Sequence, residues 1–297
     1  MTGWVWALLV SGIALGQAAG AAPRLVQDDS GRQIRVPAAP LRIVSLAPGA
    51  TEMLFAAGAG SEVIATVEYS DEPPAARRVP RIGDVAAVDM ERLVALRPDV
   101  VVLWTTGGNP AQREKLEGLR IPIYEQQVAH LGDMPAAVRR LGVLAGTEAA
   151  ADAAAQAMSA RLAALSRTYG AHGGGRRPSV LLQVWNRPIY TVGGRHLMSD
   201  ALEVCGARNV FGDLPEPGPI VDTEAVIARD PDIIIAAAPA GEGAAWVADW
   251  QRLGSLAAVR AHRVVAFEDQ ALSRLGPSVI DATENLCRTL AGLSRGN

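Results

Sequence analysis

The chain has 297 residues, of which 49% are hydrophobic and 20% are charged, and this balance excludes an intrinsically disordered protein. The formal net charge of −3, with no basic stripe along the sequence, gives no reason to expect a nucleic-acid partner. The length suits one large domain or two of ordinary size, each able to bury its own core.

The first residues have the features of an export signal. Residues 4–15 (WVWALLVSGIAL) form an uncharged apolar run that is too short to span a bilayer comfortably. Ala19 and Ala21 then fit the small-x-small pattern of a cleavage site, and no Cys near the cut offers a lipid attachment point. We therefore predict that residues 1–21 are a cleaved signal peptide and that the mature protein is soluble and periplasmic. Because no Lys or Arg precedes the apolar run, an uncleaved membrane anchor is the alternative.

Strand-like and helix-like runs alternate through the first half of the mature chain. Strands are predicted at residues 43–47, 63–67, 100–104 and 121–125, and helices at residues 50–58, 90–96 and 134–145. Alternation of this kind is typical of an α/β unit with a mainly parallel sheet.

A single long helix follows. Residues 147–169 (TEAAADAAAQAMSARLAALSRTY) are rich in alanine and contain no Gly or Pro. Thr147 is a good N-cap, Glu148 lies in the first turn, and Gly170 ends the run. The predicted helix is about 34 Å long, and a stiff helix of that length would fix the spacing of the units on either side of it.

The alternation then resumes. Strands are predicted at residues 179–185, 190–192, 233–237 and 263–267, and helices at residues 196–205, 223–229 and 278–292. The predicted fold class is therefore α/β, with two Rossmann-like lobes of mainly parallel sheet joined by one interdomain helix. The predicted boundaries are 1–21 for the signal peptide, 22–146 for the N-terminal lobe, 147–170 for the helix and 171–297 for the C-terminal lobe.

The chain contains an internal repeat of one short segment. MERLVALRPDVVVL at residues 90–103 matches DTEAVIARDPDIIIA at residues 222–236, so that Glu91 and Glu224 stand 133 positions apart. Both copies predict a helix, a proline that ends it, an aspartate and a buried strand. Chance likeness between two βαβ units is the alternative for the pattern as a whole, because Pro-Asp before an apolar strand is common. The two matched acids near the helix starts are predicted to be exposed.

The two cysteines, Cys205 and Cys287, are an even number in a chain predicted to reach an oxidising compartment. A disulfide between them would close a loop of about 80 residues, worth on the order of 4 kcal/mol in the chain-entropy model. The alternative is two buried thiols. Metal binding is disfavoured because no Cys or His lies at ligand spacing from another.

Nearly the whole mature chain resembles the periplasmic substrate-binding proteins of ABC importers that have a rigid interdomain helix. The motifs that carry the class likeness are DSGRQIRVP at residues 29–37, RIVSLAP at residues 42–48, and TE at residues 51–52. A closer likeness is to the cobalamin-binding member, on the motifs YSDEPP at 69–74, MERLVAL at 90–96, LW at 103–104, GGN at 107–109, LQ at 182–183, LEVCG at 202–206 with Asn209 and Phe211, and LC at 286–287.

The resemblance implies a function and a set of residues. The ligand would be a corrinoid, cobalamin or cobinamide, held in the cleft between the lobes without a resident cofactor. Its expected contacts are Tyr69, Trp104, Val184, Trp185, Tyr190 and Arg274. Glu91 and Glu224 are each expected to dock on one subunit of an ABC permease dimer, Cys205 and Cys287 are expected to pair, and the protein is expected to be a monomer whose lobes close by only a few degrees.

Two differences from the cobalamin-binding relative leave the identity of the ligand open. The relative has tryptophans where this chain has Val85 and, in the second lobe, near Gly218. Each lost ring removes about 1–3 kcal/mol of contact, so a ferric siderophore or haem is the alternative ligand. Trp246 and Trp250 have no counterpart in the family pattern and are predicted to be packing residues.

An enzyme is a remote alternative, because some metal-handling, chelatase-like proteins share the fold class. The histidines, His130, His172, His196 and His262, have no metal-ligand spacing. The chain also contains no G-x-S-x-G, P-loop or G-x-G-x-x-G motif, and we predict no catalytic residue.

Overall fold

The computed structural model describes residues 22–104, 110–170 and 176–295. Within these ranges the chain forms one main sheet before a long central helix and another after it. The predicted signal peptide, residues 107–109 and His172 lie outside the described residues. None of the helices in these ranges combines the length and the apolar character needed to cross a membrane.

The N-terminal half forms a hairpin followed by a parallel sheet with helices. Its elements are β1 Arg24–Gln27, β2 Gln33–Val36, β3 Ile43–Ser45, α1 Pro48–Ala56, β4 Val63–Ala65, α2 Met90–Ala95, β5 Val100–Trp104, α3 Pro110–Gly118, β6 Ile123–Gln126 and α4 Met134–Ala145. The sheet order is β4-β3-β5-β6, and every pairing in it is parallel. Strand β5 lies in the middle of this sheet and is a continuous apolar run, which is why it was predicted with its observed bounds.

The central helix, α5, spans Glu148–Tyr169 and ends at Gly170 as predicted. Thr147 occupies the N-cap position, but its hydroxyl does not cap the helix: Oγ1 donates to the carbonyl of Ala57 at 2.6 Å. This bond ties the start of α5 to the end of α1. The helix therefore begins anchored to the N-terminal lobe.

The C-terminal half forms a mixed sheet with helices. Its elements are β7 Ser179–Trp185, β8 Ile189–Thr191, α6 Leu197–Val204, β9 Arg208–Asn209, β10 Ile220–Val221, α7 Thr223–Arg229, β11 Ile233–Ala236, α8 Gly243–Gln251, α9 Ala257–Arg260, β12 Val264–Ala266, α10 Ala271–Arg274 and α11 Val279–Arg295. The sheet order is β10-β8-β7-β11-β12, with β9 also paired to β7. Strands β7, β9, β11 and β12 are parallel. Strand β8 runs antiparallel to β7, because only a short turn connects the two, and it is also antiparallel to β10.

The two lobes share a core along their inner helices. Helix α5 packs on α1 and α4 on one side and on α6 and α11 on the other. One continuous apolar cluster includes Leu141 of α4, Leu165 of α5 and Leu286 of α11. Separate clusters fill only the outer faces of the sheets. The inner cores of the two lobes are therefore continuous along α5.

A disulfide links Cys205, at the end of α6, to Cys287 in α11, with an S–S distance of 2.03 Å. The predicted pairing is confirmed, and the alternative of two buried thiols is wrong. Trp246 and Trp250 are buried packing residues, as predicted, and Trp250 Nε1 donates to Gln183 Oε1 at 2.7 Å.

The β1–β2 hairpin was not predicted. Asp29, at its tip, accepts hydrogen bonds from Arg140 Nε at 2.7 Å, from the Tyr124 hydroxyl at 3.1 Å and from the Gln127 amide at 2.9 Å. A buried carboxylate with this many donors is well satisfied. The hairpin is thus held to the sheet by contacts that lie about a hundred positions away in the chain.

Candidate functional site

A cavity of about 490 Å³ lies between the two lobes. The N-terminal lobe contributes the residues that follow its strands, and the C-terminal lobe contributes the segment around α10. Its lining residues are Ala47, Pro48, Gly49, Ala50, Tyr69, Asp71, Val85, Trp104, Gln126, Gln270, Ser273, Arg274 and Leu275. In a parallel α/β sheet the crevice at the carboxyl ends of the strands is where ligands bind, and this cavity occupies that place.

Two aromatic rings form walls of the cavity. Trp104 is the last residue of β5 and is half-buried, with part of its ring packed on the shared core. Tyr69 is 75% exposed and has a φ of +64°. A tyrosine in the left-handed region is uncommon and needs support from its surroundings.

That support comes from a buried network of hydroxyl groups that includes Ser70, the residue after Tyr69. Thr51 in α1 and Thr66 after β4 are joined through their Oγ1 atoms at 2.6 Å, and Thr66 Oγ1 donates to Ser70 Oγ at 2.9 Å. Arg81 donates to the carbonyl of Ser70 at 2.8 Å. The residue next to Tyr69 is therefore fixed from both sides, which presents the phenol ring to the cavity.

Polar groups line the opposite edge. Arg274 ends α10 and is half-buried, and among the described residues no carboxylate lies within ion-pairing distance of its guanidinium. Ser273 and Gln270 precede it, and Gln126 faces them from the end of β6. Aromatic and aliphatic walls with a few polar groups at the rim suit a large, mostly apolar ligand that carries amides or carboxylates.

Three of the predicted contacts lie outside this cavity. Trp185 ends β7, is 52% exposed and meets Trp246 edge to face, with ring centroids 6.5 Å apart. It lines a second, more open cavity of about 590 Å³ with Asn186, Arg187, Glu242, Asp249 and Arg252, among others. Tyr190 is half-buried in β8 opposite Ile220, and Val184 is half-buried against the shared core.

The two departures from the family pattern, Val85 and Gly218, lie in different surroundings. Val85 lines the first cavity, so a smaller side chain stands where a ring was expected. A Cβ at Gly218 would meet nothing within 4 Å, and this residue lines neither cavity. Gln126, Gln270 and Ser273 are lining residues that sequence analysis missed. Only Gln126 carried a signal, as the residue after the end of a predicted strand.

The repeated segment forms the same structure twice. Asp89 caps α2 by accepting from the Arg92 amide at 2.9 Å, and Asp222 caps α7 by accepting from the Ala225 amide at 2.7 Å. Each helix exposes its acid, Glu91 or Glu224. Because each helix leads into a parallel strand and runs back along the sheet, its first turn lies at the carboxyl edge of that sheet, the edge that carries the cavities.

The likeness continues past the helices. Arg97 and Asp230 both adopt left-handed backbone conformations, with φ of +47° and +39°. Asp99 Oδ2 then accepts from the Arg42 amide at 2.7 Å, and Asp232 Oδ2 accepts from the Ser179 amide at 2.8 Å. The repeat thus forms a matched structural unit in each lobe, with the same cap, the same left-handed position and the same aspartate contact.

The described residues contain no cluster of three or more His, Cys, Asp or Glu side chains able to hold a metal ion. Of the histidines in these ranges, His130 contacts Asp200 at 3.1 Å, and His196 caps α6 by accepting from the Met198 amide at 3.2 Å. Burial lowers the pKa of His196 from 6.5 to about 4.

Comparison with known proteins identifies the family of this chain. The periplasmic binding protein family model matches residues 43–271. A vitamin B12-binding protein of Pectobacterium carotovorum is 32% identical over 261 residues, covering 88% of this chain and 92% of its own length. The crystal structure of a periplasmic vitamin B12 binding protein of Vibrio cholerae aligns with a TM-score of 0.75 at 29% identity and covers 86% of this chain and 99% of its own.

A periplasmic heme-binding protein from Roseiflexus aligns with a TM-score of 0.72 at 22% identity, covering 86% of this chain and 99% of its own, which is a likeness of fold alone. The α/β architecture with two lobes on one long helix is therefore the architecture of known binding proteins. The family model matches more than half of the chain, and the chain therefore belongs to the periplasmic binding protein family.

Proposed function

We propose that this protein captures a corrinoid, cobalamin or cobinamide, in the cleft between its lobes and delivers it to an ABC importer. The observation that carries the proposal is the cavity between the lobes, which has Tyr69 and Trp104 as walls and Arg274 at its edge. The 32% identity to a vitamin B12-binding protein over most of both chains supports the same ligand class.

The chemistry of the cavity fits that ligand. A corrinoid is a large, flat, mostly apolar macrocycle fringed with amides, so it needs broad apolar walls and polar groups at the rim. Trp104 and Tyr69 offer ring faces, while Gln126, Gln270 and Arg274 offer groups that bind amide oxygens. We propose Val184, Trp185 and Tyr190 as further contacts, although Trp185 lines the second cavity and not the first.

Haem is a second candidate, and one observation favours it. Tyrosine is among the residues that bind haem iron, and the exposed Tyr69 lines the cavity. The smaller Val85 also takes away a ring wall that a corrinoid would use.

Absorbance separates these ligands. Purified protein is mixed in turn with cyanocobalamin, haemin and a ferric siderophore, and each mixture is desalted. We expect the cyanocobalamin spectrum to stay with the protein at one equivalent and the other two to be lost. Retention of haemin or of the siderophore instead would contradict the corrinoid assignment while leaving the family unchanged. We expect no chemical conversion of the bound ligand.

We further propose that Glu91 and Glu224 dock on arginines of the two subunits of a permease dimer. Both acids are exposed at the same position of matched helices, one in each lobe. Two identical acidic positions suit a partner built from two identical subunits, where such pairs contribute mainly orientation and association rate.

We also propose the signal peptide and the domain boundaries of the chain. Residues 1–21 direct export and are removed, and the mature protein works as a monomer in the periplasm. The lobes are residues 22–146 and 171–297, joined by the helix at 147–170.

A further inference from the structure

Glu52 makes a contact between the lobes beside the ligand cavity. It lies in α1 of the N-terminal lobe, and its carboxylate accepts the amide of Ser278 and, at 2.9 Å, the Ser278 hydroxyl. Ser278 directly precedes α11 in the C-terminal lobe. The residue just before α11 is therefore held by a side chain 226 positions away in the sequence.

The placement of this carboxylate is costly. Glu52 is 6% exposed, and in the part of the chain that the structure describes no cationic side chain is within ion-pairing distance of it. Burial raises the pKa of Glu52, opposed by the hydrogen bonds from Ser278 and by the more distant charge of Arg274. Burying a carboxylate without a partner charge is unfavourable, so a purely packing role at this position would be served better by an apolar side chain.

Two glycines show how closely the lobes meet at this point. A Cβ at Gly49 of α1 would lie 2.5 Å from the carbonyl oxygen of Arg274, and a Cβ at Gly276 would lie 2.5 Å from Glu52 Oε2. Leu275, which lies between Arg274 and Gly276 in the chain, has a φ of +58°, in the left-handed region. The segment 274–278 is thus pressed against α1 by backbone contacts and held there by Glu52.

Resting on the proposed function, we infer that Glu52 is a positioning residue for ligand binding: it fixes segment 274–278 against α1 and so places Arg274 at the edge of the cavity. Gly49, Arg274 and Leu275 all line that cavity, which puts the contact next to the ligand. Glu52 itself is absent from the lining, so it acts through the segment that it holds.

A double-mutant cycle tests this role. Calorimetry with cyanocobalamin is carried out on the wild type, Glu52→Gln, Arg274→Ala and the double variant. Glu52→Gln keeps the shape of the side chain but replaces one acceptor oxygen with an NH₂ group that cannot accept from Ser278. We expect it to weaken binding about tenfold in the wild-type background and less than twofold in the Arg274→Ala background, because coupled residues are non-additive. Equal losses in both backgrounds would overturn the inference.

A second measurement does not depend on the ligand. Hydrogen exchange of the Ser278 amide, which Glu52 accepts, is followed in the full-length mature protein. We expect at least tenfold faster exchange in Glu52→Gln and no change in Glu114→Gln, an exposed acid of α3 in the same lobe. Unchanged exchange at Ser278 would overturn the inference whatever the ligand. Faster exchange together with no binding of cyanocobalamin by the wild type would instead contradict the proposed function alone.

Discussion

Asp89 and Asp222 cap their helices with the same hydrogen bond, each accepting the amide three residues later, although they stand in different lobes 133 positions apart. Each cap orients a short helix so that the acid two residues on is exposed. Each helix also exposes a β-branched side chain one turn after the acid, Val94 or Ile227. The two lobes therefore present the same small surface, acidic and apolar, each at the carboxyl edge of its own sheet.

The first prediction concerns these acids. Glu91→Ala with Glu224→Ala should abolish corrinoid uptake in cells whose only copy of the gene is the variant, because docking on both permease subunits is lost. The affinity of the purified double variant for cyanocobalamin should change less than twofold, since neither acid lines the cavity. Glu114→Ala is the control and should support normal uptake. Loss of ligand binding in the double variant would mean that the acids have another role.

The second prediction concerns the disulfide. Cys205 and Cys287 close a loop of 82 residues between α6 and α11. Replacing both with Ser should lower the free energy of unfolding by about 4 kcal/mol, because the unfolded chain regains the entropy of that loop. Guanidinium unfolding of the variant and of reduced wild type measures this, and the two should agree. A loss below about 1 kcal/mol would show that the loop constraint is not what the disulfide contributes.

The third prediction concerns acid stability. His196 has a pKa near 6.5 when unfolded and about 4 when folded, because burial disfavours its charged form. Its contribution is therefore complete above pH 6.5 and is lost as the pH falls from 6.5 to about 4. His196→Asn keeps a side-chain acceptor for the Met198 amide but does not titrate.

Relative to His196→Asn, the wild type should lose about 3 kcal/mol of unfolding free energy between pH 7 and pH 4. Urea unfolding of both proteins across that range measures the difference. A difference that stays constant with pH would show that His196 titrates normally in the folded protein.

The fourth prediction concerns the aromatic walls. Tyr69→Ala and Trp104→Ala should each weaken cyanocobalamin binding by about tenfold, which corresponds to roughly 1.4 kcal/mol of lost ring contact. Tyr69→Ala should not destabilise the fold, because the phenol is largely exposed. Ile220→Ala, another exposed apolar side chain that lines neither cavity, is the control for affinity. Wild-type affinity in both aromatic variants would place the ligand elsewhere.

The bounds of some helices and strands could be predicted from the sequence, because a local pattern of residues determines them. Strand β7 and helices α4 and α7 have the predicted bounds, because a buried apolar run or a helical period, closed by Gly or by Pro, defines each of them. The β1–β2 hairpin was missed because its strands are only four residues long, and half or more of their residues are exposed or partly exposed. Its stability depends on Asp29 meeting Tyr124 and Arg140, which no local pattern reveals.

The residues that line the candidate cavity were predicted only in part. Tyr69, Trp104 and Arg274 were assigned through resemblance, and all three line one cavity. Glu52 was seen only as part of a class motif, since its partner Ser278 is 226 positions away and nothing local marks the contact. The sequence also gave no sign that Trp185 lines a separate cavity, because that depends on the pairing of Trp185 with Trp246 in three dimensions.

The central claim is that a corrinoid binds between the lobes, and titration calorimetry of the purified mature protein with cyanocobalamin tests it most directly. We predict binding of one equivalent with a Kd of about 1 μM or tighter, weakened at least tenfold by Trp104→Ala together with Arg274→Ala. An absence of binding to both cyanocobalamin and cobinamide, or binding that this double variant leaves unchanged, would contradict the account.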